Sequence, residues 1–328
     1  MPNQDHIRWG IIGVGDVTEV KSGPAFNRVE GSSISVVMRR YGDKARDYAQ
    51  RHGVSRWTTD ADEVLRSDDV DAVYIATPPS SHAEYTLRAA AAGKPVYVEK
   101  PMARTHAEGQ QMVDACAAAG VPLFVAYYRR ALPRFEFVRR CLHDGTIGQP
   151  TLVQMDIRWR APAGPEKVGW RWDPDIAGDG LLYDLGSHGL DLLDHWFGPI
   201  ADVSGFSATR LPWSRVTDEV VGTFRFASGV LGAATWGFAG TKPSDLISVT
   251  GTGGNLTVPL FEEGPVRVTD ASGAVTEHVI DHPKHVQEPL VTTIVNELLG
   301  RTVPGEGCPS TGVSALRTQA VLERLVAG

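Results

Sequence analysis

Short apolar segments that alternate with helical patterns fill the first 127 residues, and this alternation constrains the fold more than any other feature. Each apolar segment is continuous, as is typical of strands that are buried on both faces of a parallel sheet. Strand, helix and strand in succession predict a doubly wound α/β domain with helices on both faces of its sheet. The predicted strands lie in "WGIIGVG", "ISVVM", "DAVYIAT", "PVYV" and "PLFVAY".

Two of the helices predicted between these strands carry boundary signals. Ser81 and Glu84 have the spacing of a capping box, and so do Thr105 and Glu108. Gly120 follows the second of these helices and is predicted to be its C-cap.

Beyond Arg130 the pattern changes to β-branched and aromatic segments separated by turn residues. Turns at residues 227–229, 253–255 and 271–273 each join two such segments, which predicts a series of antiparallel hairpins. One helix is predicted at about Leu181 to Trp196, and another closes the chain.

We therefore predict two domains. Residues 1–128 form the doubly wound nucleotide-binding domain, and residues 129–328 form an α+β domain with a large open, mostly antiparallel sheet. The last helix, after Pro309, is able to pack back on the first domain.

Composition excludes several classes of partner. The 328 residues carry 32 basic and 39 acidic side chains, and this net charge of −7 argues against binding to nucleic acid or an anionic membrane. Cys116, Cys141 and Cys308 are far apart, which argues against a disulfide framework and suits a reducing compartment. No signal-peptide core and no run of 18 apolar residues is present, so we expect a cytoplasmic protein.

The first strand leads into a glycine turn, Gly13-x-Gly15, that precedes a helix. Glycines here let the backbone approach a pyrophosphate, although steric demands of a strand-to-helix turn are an alternative reason for them. Thr18 replaces the third glycine of the usual fingerprint. The second strand ends in Arg39 and Arg40 rather than a carboxylate, which favours NADP(H) over NAD(H), the alternative being a solvated basic loop.

Ligands of open parallel sheets bind outside the carboxyl ends of the strands. Lys100 follows the strand "PVYV" after Glu99, and Pro101 restricts the backbone next to it. This position distinguishes Lys100 from a lysine on an ordinary surface loop. The predicted cofactor-binding residues are Gly13, Gly15, Asp16, Val17, Arg39, Arg40, Thr77, Pro78, His82, Glu99 and Lys100.

The predicted helix at Leu181 to Trp196 places Asp184, His188, Asp191 and His195 on one face by their 4, 3 and 4 spacing. Three interpretations are open. The helix has a solvated polar face, or it holds a metal for which no further ligand cluster is evident, or Asp184 and His188 form a catalytic pair. We favour the catalytic pair and predict no metal.

The motifs "GIIGVGDV", "DAVYIATPPSSHAEYTLRAAAAGKPVYVEKPMA" and "GWRWDPDIAGDGLLYDLGSHGLDLLDHWFG" resemble those of the glucose-fructose oxidoreductase, inositol dehydrogenase and MocA family. This resemblance covers essentially the whole chain and implies oxidation or reduction of sugars, cyclitols and related polyols. Asp184 and His188 match the family's D-x-x-x-H signature. Thr18 departs from the family pattern, and so does Asp179 within a usual run of glycines.

The resemblance and the chemistry together assign catalytic roles to Lys100, His188 and Asp184. An ammonium stabilises the negative charge that builds on the substrate oxygen, and an imidazole takes its proton. We assign these roles to Lys100 and His188, and the reverse assignment is open. Asp184 would orient the imidazole or the substrate. The predicted substrate-binding residues are Tyr128, Arg129, Arg158, Trp159, Trp170, Trp172, Asp184 and His188.

The sequence thus predicts an NADP(H)-dependent oxidoreductase acting on a polyol or keto-sugar. The alternatives are a non-catalytic nucleotide-binding sensor of the same fold and an NAD-dependent glycosidase. The open sheet and the family resemblance imply a homodimer or homotetramer.

Overall fold

The computed structural model describes residues 5–303 and 305–327 and divides into two compact units. The first comprises the residues up to Leu132 together with Pro283–Leu316. The second comprises Pro133–His282 together with the residues from Arg317 onward. The sequence placed residues 283–316 in the second domain, whereas in the structure they belong to the first unit.

The sheet of the first unit has the strand order β3-β2-β1-β4-β5-β6, and all neighbouring strands described in it run parallel. This is the predicted doubly wound arrangement. β3 was not predicted because it has only three residues, of which two are exposed. The strands are β1 (Ile7–Ile12), β2 (Ser32–Met38), β3 (Arg56–Thr58), β4 (Ala72–Ile75), β5 (Val96–Val98) and β6 (Leu123–Val125).

The helices of this unit are amphipathic or short connectors whose ends follow local signals. Thr105 caps α6 as predicted, since its hydroxyl accepts the Glu108 N–H at 3.1 Å, and Gly120 ends that helix. Ser81 is the N-cap of α5, but the predicted capping box is absent, because the Ser81 hydroxyl donates back to Thr77 Oγ1 across the preceding 3₁₀ turn. The helices are α1 (Asp16–Val20), α2 (Gly23–Arg28), α3 (Gly42–His52), α4 (Ala61–Leu65), α5 (His82–Ala91) and α6 (His106–Ala119).

The second unit is built on a sheet of eight described strands in the order β14-β13-β12-β11-β7-β10-β9-β8. All pairs are antiparallel except β7 with β10, and the three predicted turns join hairpin strands. β8 and α7 were not predicted. The elements are α7 (Pro133–His143), β7 (Pro150–Arg158), α8 (Pro174–Ala177), α9 (Ser187–Phe197), β8 (Ile200–Ala208), β9 (Glu219–Phe226), β10 (Leu231–Gly237), β11 (Ser244–Gly251), β12 (Gly254–Val258), β13 (Val266–Asp270) and β14 (Val275–His278).

The C-terminal segment contains α10 (Glu288–Leu298) and the predicted closing helix α11 (Gly312–Ala327). Gln287 is fully buried at the start of α10, and its N–H donates to Lys21 O at 3.1 Å. This contact is one reason why the segment belongs to the first unit. Among the described helices, none combines the length and the apolar character that crossing a membrane requires.

Candidate active site

The glycine turn after β1 has the geometry of a ligand cradle. Gly13 has φ +96°, and a Cβ there would lie 2.6 Å from Thr77 Cγ2, so only glycine fits between the ends of β1 and β4. A Cβ on Gly15 would meet nothing closer than Gly13 O at 4.0 Å, so space over the turn is open. The turn therefore fits the pyrophosphate of a dinucleotide, which would bind the backbone N–H groups that begin α1.

Thr18, at the position of the third glycine, stabilises this turn. Its hydroxyl donates to Gly15 O at 2.8 Å and accepts the Gly15 N–H at 2.9 Å. Asp16 is exposed and Val17 half-buried on the short helix α1. The departure from the usual fingerprint thus preserves the turn.

Arg39 and Arg40 follow β2, which pairs with β1. Arg39 is half-buried and Arg40 is exposed. Within residues 5–303 and 305–327, neither guanidinium has a carboxylate within 4.0 Å. Both are therefore available for an anionic ligand.

His82 lies at the start of α5 and is fully buried. Its Nδ1 is 3.0 Å from Pro101 O, and its Nε2 is 2.7 Å from Thr77 O. Burial lowers the pKa of His82, against the raising effect of these carbonyls. His82 therefore joins the loop after β4, which carries Pro78, to the loop after β5.

Glu99 and Lys100 follow β5, and a buried hydrogen-bond network fixes their backbone. Glu99 Oε1 accepts from Tyr74 Oη and from Gln287 Nε2, both at 2.6 Å, and Tyr97 Oη donates to Gln287 Oε1 at 2.6 Å. Glu99 Oε2 is 3.3 Å from the Lys100 N–H. Burial raises the pKa of Tyr74 and of Tyr97 well above the ordinary value.

Lys100 itself is half-buried, and its peptide bond to Pro101 is cis. Tyr128 and Arg129, in the 3₁₀ turn after β6, are buried. Arg129 Nη1 donates to Tyr128 Oη at 3.0 Å. Both predicted substrate-binding residues of the first unit are thus buried.

In the second unit, the predicted single helix consists of a π-helical segment, Leu182–Gly186, followed by α9. The wider π turn changes the spacing on which the predicted polar face depended. Asp184 is 7 % exposed and His188 is 3 % exposed, so the solvated-face interpretation is wrong. Asp184 Oδ2 accepts from Arg171 Nε at 2.7 Å, an ion pair that the sequence did not predict.

Asp191 and His195 have partners within the second unit. Thr318 of α11 lies 3.5 Å from Asp191 Oδ1, and His195 Nε2 lies 3.4 Å from Glu136 of α7. Asp191 is buried and His195 is half-buried, so these contacts hold α9 within the second unit. Among the described residues, no cluster of three or more His, Cys, Asp or Glu side chains is placed to hold a metal ion.

Gly189 lets α9 approach the sheet closely next to His188. A Cβ there would lie 2.4 Å from Met155 Sδ and 3.3 Å from Leu260 Cδ2. The His188 ring consequently lies 6.0 Å, centroid to centroid, from the ring of Phe261. Phe261 is a further site candidate that the sequence did not predict.

The predicted aromatic and arginine residues occupy different environments. Trp159, 40 % exposed, lies 5.6 Å from Phe261 in an edge-to-face arrangement. Trp172 is buried against Trp213, so it is a packing residue. The Arg171 guanidinium lies over the ring of Trp170. Arg158 forms an ion pair with Asp156, which also accepts a hydrogen bond from Thr235.

Comparisons with known proteins agree with this architecture. The family model described as "Oxidoreductase family, NAD-binding Rossmann fold" matches residues 7–127, and that of the "GFO/IDH/MocA C-terminal domain" matches residues 135–257. Oxidoreductase P35 of Formosa agariphila is 36% identical over 299 residues, which cover 90% of this chain and 92% of that protein.

Two further proteins are similar over most of the chain. The 1,5-anhydro-D-fructose reductase of Ensifer adhaerens is 31% identical over 251 residues, 76% of this chain and 74% of that protein. Levoglucosan dehydrogenase in complex with NADH and levoglucosan has the same fold, with a TM-score of 0.85 over 98% of this chain and 96% of that one at 22% identity. The chain therefore belongs to the Gfo/Idh/MocA family of oxidoreductases.

Proposed function

We propose that this protein is an NADP(H)-dependent oxidoreductase that transfers hydride between nicotinamide and a carbinol or carbonyl carbon of a sugar, cyclitol or related polyol. The observation that carries the proposal is the position of Lys100. It follows β5 in the sheet whose β1 ends in the open Gly13–Gly15 turn, and the buried Glu99 network fixes its backbone. The relative named as a 1,5-anhydro-D-fructose reductase supports this substrate class.

The proposed chemistry divides the work between two side chains. A nicotinamide cofactor held at the Gly13–Gly15 turn would supply the acceptor for the hydride of the carbinol carbon. The Lys100 ammonium stabilises the negative charge that develops on the substrate oxygen, and the His188 imidazole accepts the hydroxyl proton. Asp184, which lies four residues before His188 and is held by Arg171, would orient the imidazole or the substrate.

The preference for NADP(H) rests on Arg39 and Arg40. Two guanidiniums after β2, without a carboxylate partner among the described residues, suit the 2′-phosphate, whereas an NAD site usually presents an acid here. Arg39→Ala combined with Arg40→Ala is expected to weaken NADP⁺ binding about a hundredfold and to leave NAD⁺ binding within about threefold.

The test of the function is a panel of polyols and keto-sugars assayed with NAD(H) and NADP(H) in parallel. We expect Lys100→Ala and His188→Ala to lower kcat by at least about a hundredfold while nucleotide binding persists. Normal turnover by both variants contradicts the assigned roles. Tight nucleotide binding without turnover of any substrate indicates a sensor, and cleavage of glycosides without net redox change indicates a glycosidase.

We also propose that the open face of the second sheet mediates self-association. Phe206 and Val221, which are 83 % and 53 % exposed, are paired on β8 and β9. Leu246 of β11, 43 % exposed, lies in the same cross-strand row beyond Thr235 of β10 and Asp156 of β7. Exposed apolar side chains on the open face of a sheet are typical of an interface between subunits. Light scattering coupled to size exclusion is expected to give a dimer or tetramer.

A further inference from the structure

Trp159 and Phe261 form an aromatic corner beside His188. Their ring centroids are 5.6 Å apart at an interplanar angle of 77°, and the Phe261 centroid lies 6.0 Å from that of His188. Trp159 keeps 40 % of its surface exposed, and Phe261 is half-buried. Trp159 therefore presents exposed aromatic surface in the same cluster of rings as the proposed base.

The backbone of this corner is fixed on both sides. Asp245 of β11 accepts the N–H groups of Leu260, Phe261 and Glu262 at 2.9, 2.7 and 2.6 Å. Arg134 Nη1 donates to Glu262 O at 2.9 Å. Three backbone bonds to one carboxylate make the loop that carries Phe261 rigid, as a preorganised binding surface requires.

Trp159 is fixed from the neighbouring strands. Its N–H donates to Gly237 O at the end of β10 at 2.9 Å. The alternation along β7 gives Trp159 the parity of Met155 and Ile157, the buried side chains on the face against which α9 packs. Trp159 therefore lies on the side of β7 against which α9, the helix of His188, packs, and Phe261 contacts Trp159 there.

We propose that Trp159 and Phe261 form a stacking platform for the C–H face of a ring-closed polyol, so that this protein selects cyclic over open-chain polyols. The proposal deepens the function proposed above and rests on it. A pyranose or cyclitol ring presents a flat patch of C–H groups that complements the negative face of an aromatic ring. An open-chain polyol lacks that fixed patch and loses more rotational freedom on binding.

Binding of matched probe pairs, measured by saturation-transfer NMR on the full chain, tests the platform independently of turnover. The pairs are 1,5-anhydro-D-glucitol with D-glucitol and 1,5-anhydro-D-mannitol with D-mannitol, supplemented by myo-inositol. We expect the wild type to bind at least one cyclic probe about tenfold more tightly than its open-chain partner. For myo-inositol, which has no matched partner, the comparison is with both open-chain polyols. Trp159→Ala and Phe261→Ala are expected to abolish this difference, and Trp159→Phe to retain most of it.

Two variants separate stacking from fold. Phe261→Leu keeps apolar volume without an aromatic face and is expected to lose the selectivity. Phe137→Ala removes a half-buried phenylalanine of the same unit, paired with His278 rather than the corner, and is expected to retain it.

Equal binding of both members of every pair, no binding of any cyclic probe, or full selectivity in Phe261→Leu overturns the proposal. Selective binding without turnover supports the platform and contradicts the proposed enzymatic function, so the two failures are distinguishable.

Discussion

The two proposed catalytic side chains each follow a buried carboxylate, but these carboxylates are held in different ways. Glu99, which precedes Lys100, accepts its short bonds from the neutral donors Tyr74 and Gln287. Asp184, four residues before His188, pairs instead with the charged Arg171. Both carboxylates are 7 % exposed, so burial does not distinguish them.

The difference indicates that the support of Lys100 is rigid, whereas the electrostatic environment of His188 is adjustable. A buried network of neutral donors depends on geometry and is indifferent to salt. The side chain of Arg171 is 48 % exposed, so its attraction to Asp184 is partly screened by water and ions. Lys100 is therefore held on a fixed support, whereas the charge near His188 responds to solution conditions and to a bound substrate.

Glu99→Leu breaks the neutral network and is expected to have the largest effect. It leaves the Gln287 amide without its acceptor and the Tyr74 hydroxyl with only Ser22 Oγ, at 2.9 Å, as a partner, and a buried orphan costs about 1–3 kcal/mol. We expect urea denaturation to show a loss of about 3 kcal/mol in the free energy of unfolding.

Glu99→Gln sharpens the same test because its amide oxygen can replace Oε1 and keep both short bonds. Its loss is expected to be about 1 kcal/mol, and the exposed control Glu30→Leu is expected to stay within about 0.5 kcal/mol of the wild type. Equal losses for the leucine and glutamine variants would mean that charge, rather than acceptor geometry, holds the network.

Alkaline pH is expected to break the Glu99 hydrogen-bond network because the Tyr74 hydroxyl ionises. Burial raises the pKa of Tyr74 well above its unfolded value of about 10, so its contribution to stability is complete below pH 10 and is lost as the pH rises further. Above pH 10 the free energy of unfolding is expected to fall with pH for both proteins. The slope for Tyr74→Phe is expected to be shallower than that of the wild type by about 1.4 kcal/mol per pH unit.

Urea denaturation at pH 9, 10 and 11 measures this difference. Tyr85→Phe, a half-buried tyrosine of α5 outside the network, serves as the control and is expected to keep the wild-type slope. Identical slopes for Tyr74→Phe and the wild type would show that Tyr74 is not held protonated by the native state.

Much of the fold could be predicted because its determinants are local. Continuous apolar segments identify strands covered on both faces, and short turn motifs identify the hairpins of the second sheet. Two of the elements that were missed carry weak local signals. β3 has three residues, and α10 lies in a segment whose place in the first unit depends on contacts such as Gln287 with Glu99, 188 residues away.

The candidate site could be predicted only where a motif surrounds the residue. Lys100 and His188 lie in such motifs, whereas Gln287 is an isolated glutamine whose role depends on tertiary contacts. Arg171 lies between Trp170 and Trp172 in the same motif as Asp184, so an ion pair between the two could have been predicted from the sequence. Phe261 had none, because only the approach of α9 at Gly189 brings it to His188.

The smallest expected effect is the salt dependence of the Arg171–Asp184 pair, and it tests the comparison directly. A double-mutant cycle with Arg171→Met and Asp184→Asn is expected to give a coupling of about 1 kcal/mol in 0.05 M NaCl, because the half-exposed guanidinium is partly screened. The coupling should fall to about half in 1 M NaCl, where the Debye length is about 3 Å. The matched cycle of Tyr74→Phe and Glu99→Gln should be unchanged by salt, since its hydrogen bonds are buried and one partner is neutral. Urea denaturation of both sets at the two salt concentrations measures the couplings. If both respond to salt alike, the two carboxylates are held by the same physics and the contrast between a fixed and a tunable support is wrong.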